Sequence, residues 1–199
     1  MMMKKSMNKE YWENKYHSNE AKWNVGTIST PLKEYIDQLE NKQLRILVPG
    51  LGHGHELMYL HEQGFTNITG LDFTIVAALE AYGLMNDFPY GNVVLGDFFE
   101  HTGEYDLILE QTFFCALPRE MRQKYVDKMH ELLSENGKLV GLLFDCEFEQ
   151  SEPPFGGSKE EYLPLLRSKL TIDVIETAHN SILPRAGREL FFITTKQND

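Results

Sequence analysis

Cysteine is nearly absent from this 199-residue chain, with only Cys115 and Cys146. Two thiols cannot build a disulfide framework, so the chain reads as a protein of a reducing, cytoplasmic compartment. No apolar run approaches the roughly 18 residues of a membrane-spanning helix. Residues 1–10 carry lysines but no apolar segment of the secretory-leader kind, and they read as a frayed end. Basic residues are scarce as well: 19 Lys and Arg stand against 30 Asp and Glu, for a net charge of −11. Phosphate backbones call for clustered cations and anionic membranes repel acidic chains, so neither nucleic acid nor membrane is expected as a partner. Internal repeats and low-complexity segments are missing too, and so are a Ser-His-Asp order and zinc-ligand spacing. His53, His55 and His61 find no well-spaced further ligand, so no metal is expected. A hydrophobic content of 42% over this length supports one domain with one core.

The most informative stretch is Leu47-Val48-Pro49-Gly50-Leu51-Gly52-His53-Gly54-His55-Glu56. An apolar run from Leu44 to Val48 ends in glycines at alternate positions, and an amphipathic segment with Leu57, Met58 and Leu60 follows. That is a strand, a tight turn and a helix, with glycine where backbone must approach a ligand. A second run, Ile68 to Leu71, ends in Asp72, 22 residues after Gly50. A carboxylate at the neighbouring strand tip can accept from a ribose diol, so the pair reads as a nucleoside cradle. The alternative is a plain strand–helix connection. The turn lacks G-x-G-x-x-G spacing, which makes a nicotinamide cofactor the weaker version of the cradle.

Between residues 11 and 35 lie Tyr11, Trp12, Tyr16, Trp23 and Tyr35. On pattern alone this is a hydrophobic clasp. Thr30-Pro31 predicts a helix start with Thr30 as cap, and Leu32, Tyr35, Ile36 and Leu39 supply its apolar face. Thr74 caps a helix bearing Val76, Leu79 and Met85; Gly91 to Leu95 is a short strand before Gly96-Asp97-Phe98-Phe99; Tyr105 to Leu109 is another before Glu110-Gln111-Thr112-Phe113-Phe114-Cys115. Pro118 and Glu120 open a long helix that Asn136-Gly137 ends, and Lys138 to Phe144 is a buried strand. Glu147 to Gly157 is a polar loop, with Pro153-Pro154-Phe155 as a rigid turn or part of a lid, and Ser158 to Glu161 fits a capping box. The final strands, Thr171–Glu176 and Glu189–Thr195, flank a loop whose Arg185 and Arg188 read as solvated charges. Phe113 and Phe114 read as core, and Cys115 as a small buried hydrophobe. Arg122, early in its helix, has two readings of equal weight: an ion pair with a neighbouring acid, or a contact to an anionic substrate. The alternation of strand and helix predicts an α/β fold with parallel strands, right-handed crossovers and an antiparallel hairpin at one edge.

With VPGLGHGHE, GLDF, GDFF, EQTFFCALPREMR and PPF in this order, the chain resembles the thiopurine S-methyltransferase family, halide and thiol methyltransferase relatives included. These are class I S-adenosylmethionine (SAM)-dependent methyltransferases, and the likeness runs over residues 11–195. The resemblance implies a Rossmann-like, seven-stranded, mostly parallel sheet with an antiparallel edge strand and helices on both faces. It implies a single domain over residues 11–199, with an aromatic flap over 11–30. It places Trp12, Tyr16, Trp23, Gly50, Gly52, Asp72, Asp97, Phe98 and Gln111 at the cofactor and Arg122 near the substrate, positioning it. Tyr16 stands where the family commonly has Trp, and Glu110-Gln111 where Asp-Tyr is common.

SAM is then the cofactor, and the acceptor a small-molecule thiol, thiopurine or halide, in a monomer or weak homo-oligomer. Methyl transfer from a sulfonium is an in-line displacement with a good leaving group, so a soft anionic acceptor needs positioning more than deprotonation. A ring face over the sulfonium contributes about 0.5–2 kcal/mol. Two other readings are kept open: a non-catalytic SAM- or nucleotide-binding regulatory module, and an NAD-dependent oxidoreductase.

Overall fold

The computed structural model describes residues 7–18, 20–84 and 92–197. Met85 and Gly91, expected on a helix face and at a strand start, lie outside the described residues, as do residues 1–6 of the segment expected to be frayed.

Seven strands form one sheet: β1 (Ile46–Pro49), β2 (Ile68–Asp72), β3 (Val93–Leu95), β4 (Tyr105–Gln111), β5 (Leu133–Phe144), β6 (Leu170–Thr177) and β7 (Glu189–Lys196). Their spatial order is β3-β2-β1-β4-β5-β7-β6. The pairs among β1 to β5 are parallel, whereas β7 runs antiparallel to both β5 and β6. The expected hairpin is therefore at one edge, with the reversed strand β7 inserted between β5 and β6. Among the described residues six α-helices accompany the sheet: α1 (Lys9–His17), α2 (Thr30–Asp37), α3 (His55–Glu62), α4 (Ile75–Leu84), α5 (Arg122–Leu132) and α6 (Lys159–Arg167).

The central strands are largely apolar because both faces are covered. Alternation divides them between two cores. Leu47, Ile108, Leu139 and Leu143 join Tyr125 and Met129 of α5 and Tyr162 of α6. Ile46, Val48, Leu107, Leu109 and Val140 join Leu32 and Ile36 of α2 and Leu57 and Leu60 of α3. The chain leaves β1 toward β2 and returns to lay β4 on its other side, so the carboxyl ends of β1 and β4 flank a topological switch point. Ligands of such sheets bind there.

Two boundaries differ from the sequence reading. Ser29, not Thr30, caps α2, in an extended conformation (φ −66°, ψ 138°), and Pro31 still falls in the first turn. Both residue types suit the position; Ser29 takes it while its hydroxyl turns to Gln111 Oε1 at 3.4 Å. The helix begun by Pro118 consists of a tight turn, Arg119–Met121, followed by α5, and it stops at Leu132. Buried Leu133 pairs with Tyr105 on β4, so Asn136 (φ 59°) and Gly137 make a kink within β5.

Candidate functional site

The turn after β1 has positive φ at Gly50 (63°) and Gly52 (58°), where L side chains are strained. A β-carbon on Gly50 would overlap the Phe113 ring, and one on Gly52 would stand 3.5 Å from the Trp23 indole nitrogen. The loop is thus closed on one side by the turn after β4 and on the other by the segment before α2. Asp72 ends β2 beside it. Its Oδ2 accepts from the Gly52 amide at 3.3 Å, and its Oδ1 accepts from the Thr74 amide (2.9 Å) and hydroxyl (2.8 Å). Burial pushes its pKa up, against those donors.

The early aromatics fold onto this corner. Trp23 meets Trp12 and Tyr16 edge to face, with ring centres 5.5 and 5.2 Å apart. Tyr16 and Trp23 in turn lie 5.2 and 6.4 Å from the His53 ring in the glycine turn. Burial, with the Asp72 charge second, raises the pKa of the Tyr16 hydroxyl. Hydrogen bonds fasten the segment to the body: Arg185 Nη2 donates to the Trp23 carbonyl (3.3 Å), His55 Nε2 meets Asn24 Oδ1 (2.8 Å), and the Tyr11 hydroxyl donates to Glu152 Oε2 (3.1 Å).

Trp12, Tyr16, Trp23, Gly50, Gly52 and Asp72 therefore share one corner, and Gln111 ends β4 beside it, accepting from Ser29 at 3.4 Å. Asp97 and Phe98 sit otherwise. Asp97 is exposed, with Oδ1 taken by the Phe99 amide at 2.8 Å. Phe98 is buried in the core, 5.0 Å from Phe113 and 5.9 Å from Tyr125 between ring centres.

Two arginines are held inside the protein, and one of them, Arg185, corrects the sequence reading. Arg122 makes the ion pair that is one of its two readings. Only 3% exposed, it donates to Glu161 Oε1 (2.7 Å) and to the Gly156 and Phe155 carbonyls (2.8 and 3.3 Å), and it lies over the Phe114 and Tyr162 rings. It pins the Glu147–Gly157 loop to α5. Arg185 is not a solvated loop charge: it is buried over Phe144, between Glu189 Oε1 (3.3 Å) and the Trp23 carbonyl. Cys115 is buried as expected, and burial pushes its thiol pKa well up, which disarms it as a nucleophile.

Sequence reasoning missed the buried acids. Glu56, at the start of α3, has its carboxyl pushed up to about 7 by burial, against its own amide, Arg185 and the Ser29 amide. Glu110, fully buried, is likewise raised to about 7 by burial. Its Oε1 accepts from the Phe113 and Phe114 amides, both at 2.8 Å, and its Oε2 from the Tyr125 hydroxyl at 2.6 Å. A charge inside the apolar run Leu107-Ile108-Leu109-Glu110 was the available signal.

The family model for thiopurine S-methyltransferase (TPMT) matches residues 7–192. Among curated proteins, thiocyanate methyltransferase 1 of Arabidopsis thaliana is 30% identical over 89% of this chain and 81% of its own. Probable thiol methyltransferase 2 of the same plant is 26% identical over the same shares. Among solved structures, 1,6-didemethyltoxoflavin-N1-methyltransferase of Burkholderia thailandensis, with its substrate and S-adenosylhomocysteine bound, superposes with a TM-score of 0.77. It is 19% identical and covers 96% of this chain and 87% of that one, a likeness of fold.

Proposed function

The chain belongs to the thiopurine S-methyltransferase family and is a SAM-dependent methyltransferase, and on that premise we propose that its acceptor is the sulfur of a small molecule, a thiol or a thiopurine-like heterocycle. The observation that carries this reading is the closing of Trp12, Tyr16 and Trp23 over Gly52 and Asp72. Two relatives are named for thiol and thiocyanate chemistry, which fits a soft nucleophile.

The donor set suits the cofactor. Gly50 and Gly52 hold positive φ, a turn that L side chains would strain, and Asp72 holds an acceptor at the tip of β2. When bound, SAM supplies an electrophilic methyl on a sulfonium. In the proposed arrangement Asp72 accepts from the ribose hydroxyls, and the glycine backbone lets the amino-acid portion approach. Trp12, Tyr16 and Trp23 turn ring faces toward positive charge and keep water away. Holding a soft acceptor in line then supplies much of the acceleration. In the same reading Gln111 borders this space at the end of β4, while Asp97 and Phe98, set apart from that corner, take the adenine side.

The test is calorimetry with SAM and S-adenosylhomocysteine, then an acceptor panel of thiols, selenols, a thiopurine and iodide read by mass spectrometry. Turnover on sulfur is expected. Cofactor binding with iodide methylated and every thiol untouched would move the acceptor to halide. No binding of either cofactor form at millimolar concentration would remove the site itself.

A further inference from the structure

One buried acid has no part in the chemistry above, yet the turn beside the cofactor corner is built on it. Glu110 is fully buried, and each partner of its carboxyl is a donor: two consecutive amides, Phe113 and Phe114, and the Tyr125 hydroxyl. Such a set suits an acceptor-only carboxylate. The turn it holds is strained. Thr112 has φ 58°, a left-handed conformation that strains a β-branched residue. The neighbouring strand makes room, because a β-carbon on Gly141 would overlap Glu110. The strain has a visible consequence: the Phe113 ring is laid on Gly50, leaving no space for a β-carbon there.

We propose that Glu110 is a positioning residue for the cofactor, acting through the Thr112–Phe114 turn to press Phe113 against the glycine loop and fix its backbone. This inference rests on the placement of SAM against Gly50 and Gly52. Glu110 acts through the turn; it sets where the loop stands. A positioned loop binds better because less of it must be ordered on binding. The Glu110 side chain reaches both amides and Tyr125.

The test is S-adenosylhomocysteine affinity by calorimetry, with melting temperature in parallel, for E110A, E110Q, F113A, Y125F and the double variant E110A/F113A. E110A and F113A are each expected to weaken binding about tenfold, and the double variant no more than the worse of the two, since both cut one path. E110Q, which keeps an oxygen for the two amides, is expected within about threefold of the parent. Y125F, which leaves both amides held, is expected to lower the melting temperature with affinity nearly unchanged. Unchanged affinity in F113A would overturn the proposal even if E110A failed to fold. Losses that track melting temperature across all variants would also overturn it, because they would make Glu110 a stabilising residue only. If the parent chain itself bound no S-adenosylhomocysteine, the cofactor placement would fail instead.

Discussion

The Asp72 carboxylate accepts from the Gly52 amide at 3.3 Å, so the acid at the tip of β2 and the glycine turn after β1 are one unit. Cutting that unit separates binding from folding. Asp72→Ala removes the proposed ribose acceptor together with the hydrogen bonds accepted from Gly52 and Thr74. The expected outcome is loss of cofactor binding by at least about 100-fold, at a stability cost of about 1–3 kcal/mol. Asp72→Asn keeps one oxygen for Thr74 and is expected to fold better while still binding poorly. Calorimetry with S-adenosylhomocysteine beside thermal melts checks both. A well-folded Asp72→Ala that binds normally would mean that this acid faces no ribose.

Trp23 is expected to matter through its ring, and Arg185 through Trp23. Trp23→Ala removes the ring that meets Trp12, Tyr16 and His53, and should weaken cofactor affinity about tenfold, with Trp23→Phe milder. Arg185→Gln breaks the bond to the Trp23 carbonyl and leaves Glu189 buried without its cation. It should loosen the segment and raise its protease sensitivity, measured by limited digestion with and without cofactor. Cofactor is expected to protect the parent far more than the variant.

Much of this corner was legible in the sequence, because its signals are local. Glycines directly after an apolar run, and an acid directly after the next one, each declare a strand tip. The central strands declared themselves too, by apolar runs at the right length. What stayed hidden depends on distance along the chain. Arg185 and Trp23 are 162 residues apart, and Arg122 finds Glu161 39 residues later, so nothing nearby marks either arginine as buried. Ser29 and Thr30 are equally good caps locally, and the choice accompanies a contact to Gln111, 82 residues away. The end of α5 was misplaced for a related reason: Asn136-Gly137 is a sound stop signal, but pairing of Leu133 with Tyr105 had already taken the chain into the sheet.

Arg122 gives a stability test that also decides its role. Its guanidinium holds Glu161 and two loop carbonyls from a buried site. Arg122→Ala strands those groups and is expected to cost about 2–4 kcal/mol, a fall in Tm of several degrees. Arg122→Lys keeps charge but not the planar fork, and should fall between. At a temperature where the variants are folded, KM for the acceptor should stay within threefold of the parent. A tenfold rise in KM without loss of stability would return Arg122 to the substrate.

The buried acids set the sign of the pH dependence. The Glu56 carboxyl titrates at about 7 in the folded chain against an ordinary 4.5, so between those values the folded state keeps a proton that the unfolded state has released. Its contribution is therefore full below pH 4.5 and lost as pH rises through about 7, worth up to about 3 kcal/mol in all. Glu110, also raised to about 7, acts in the same direction. Asp106 acts oppositely. Hydrogen bonding to Arg45 first, against partial burial, lowers it to about 2, so its contribution holds above 3.8 and fades as pH falls through that value toward 2. The melting temperature should thus decline on both sides of mildly acidic pH. Glu56→Gln is expected to lessen the alkaline decline, Glu110 keeping the rest, and Asp106→Asn to lessen the acid decline. Melts from pH 3 to 9 read both slopes, and an alkaline decline that survives Glu56→Gln unchanged would place the titrating group elsewhere.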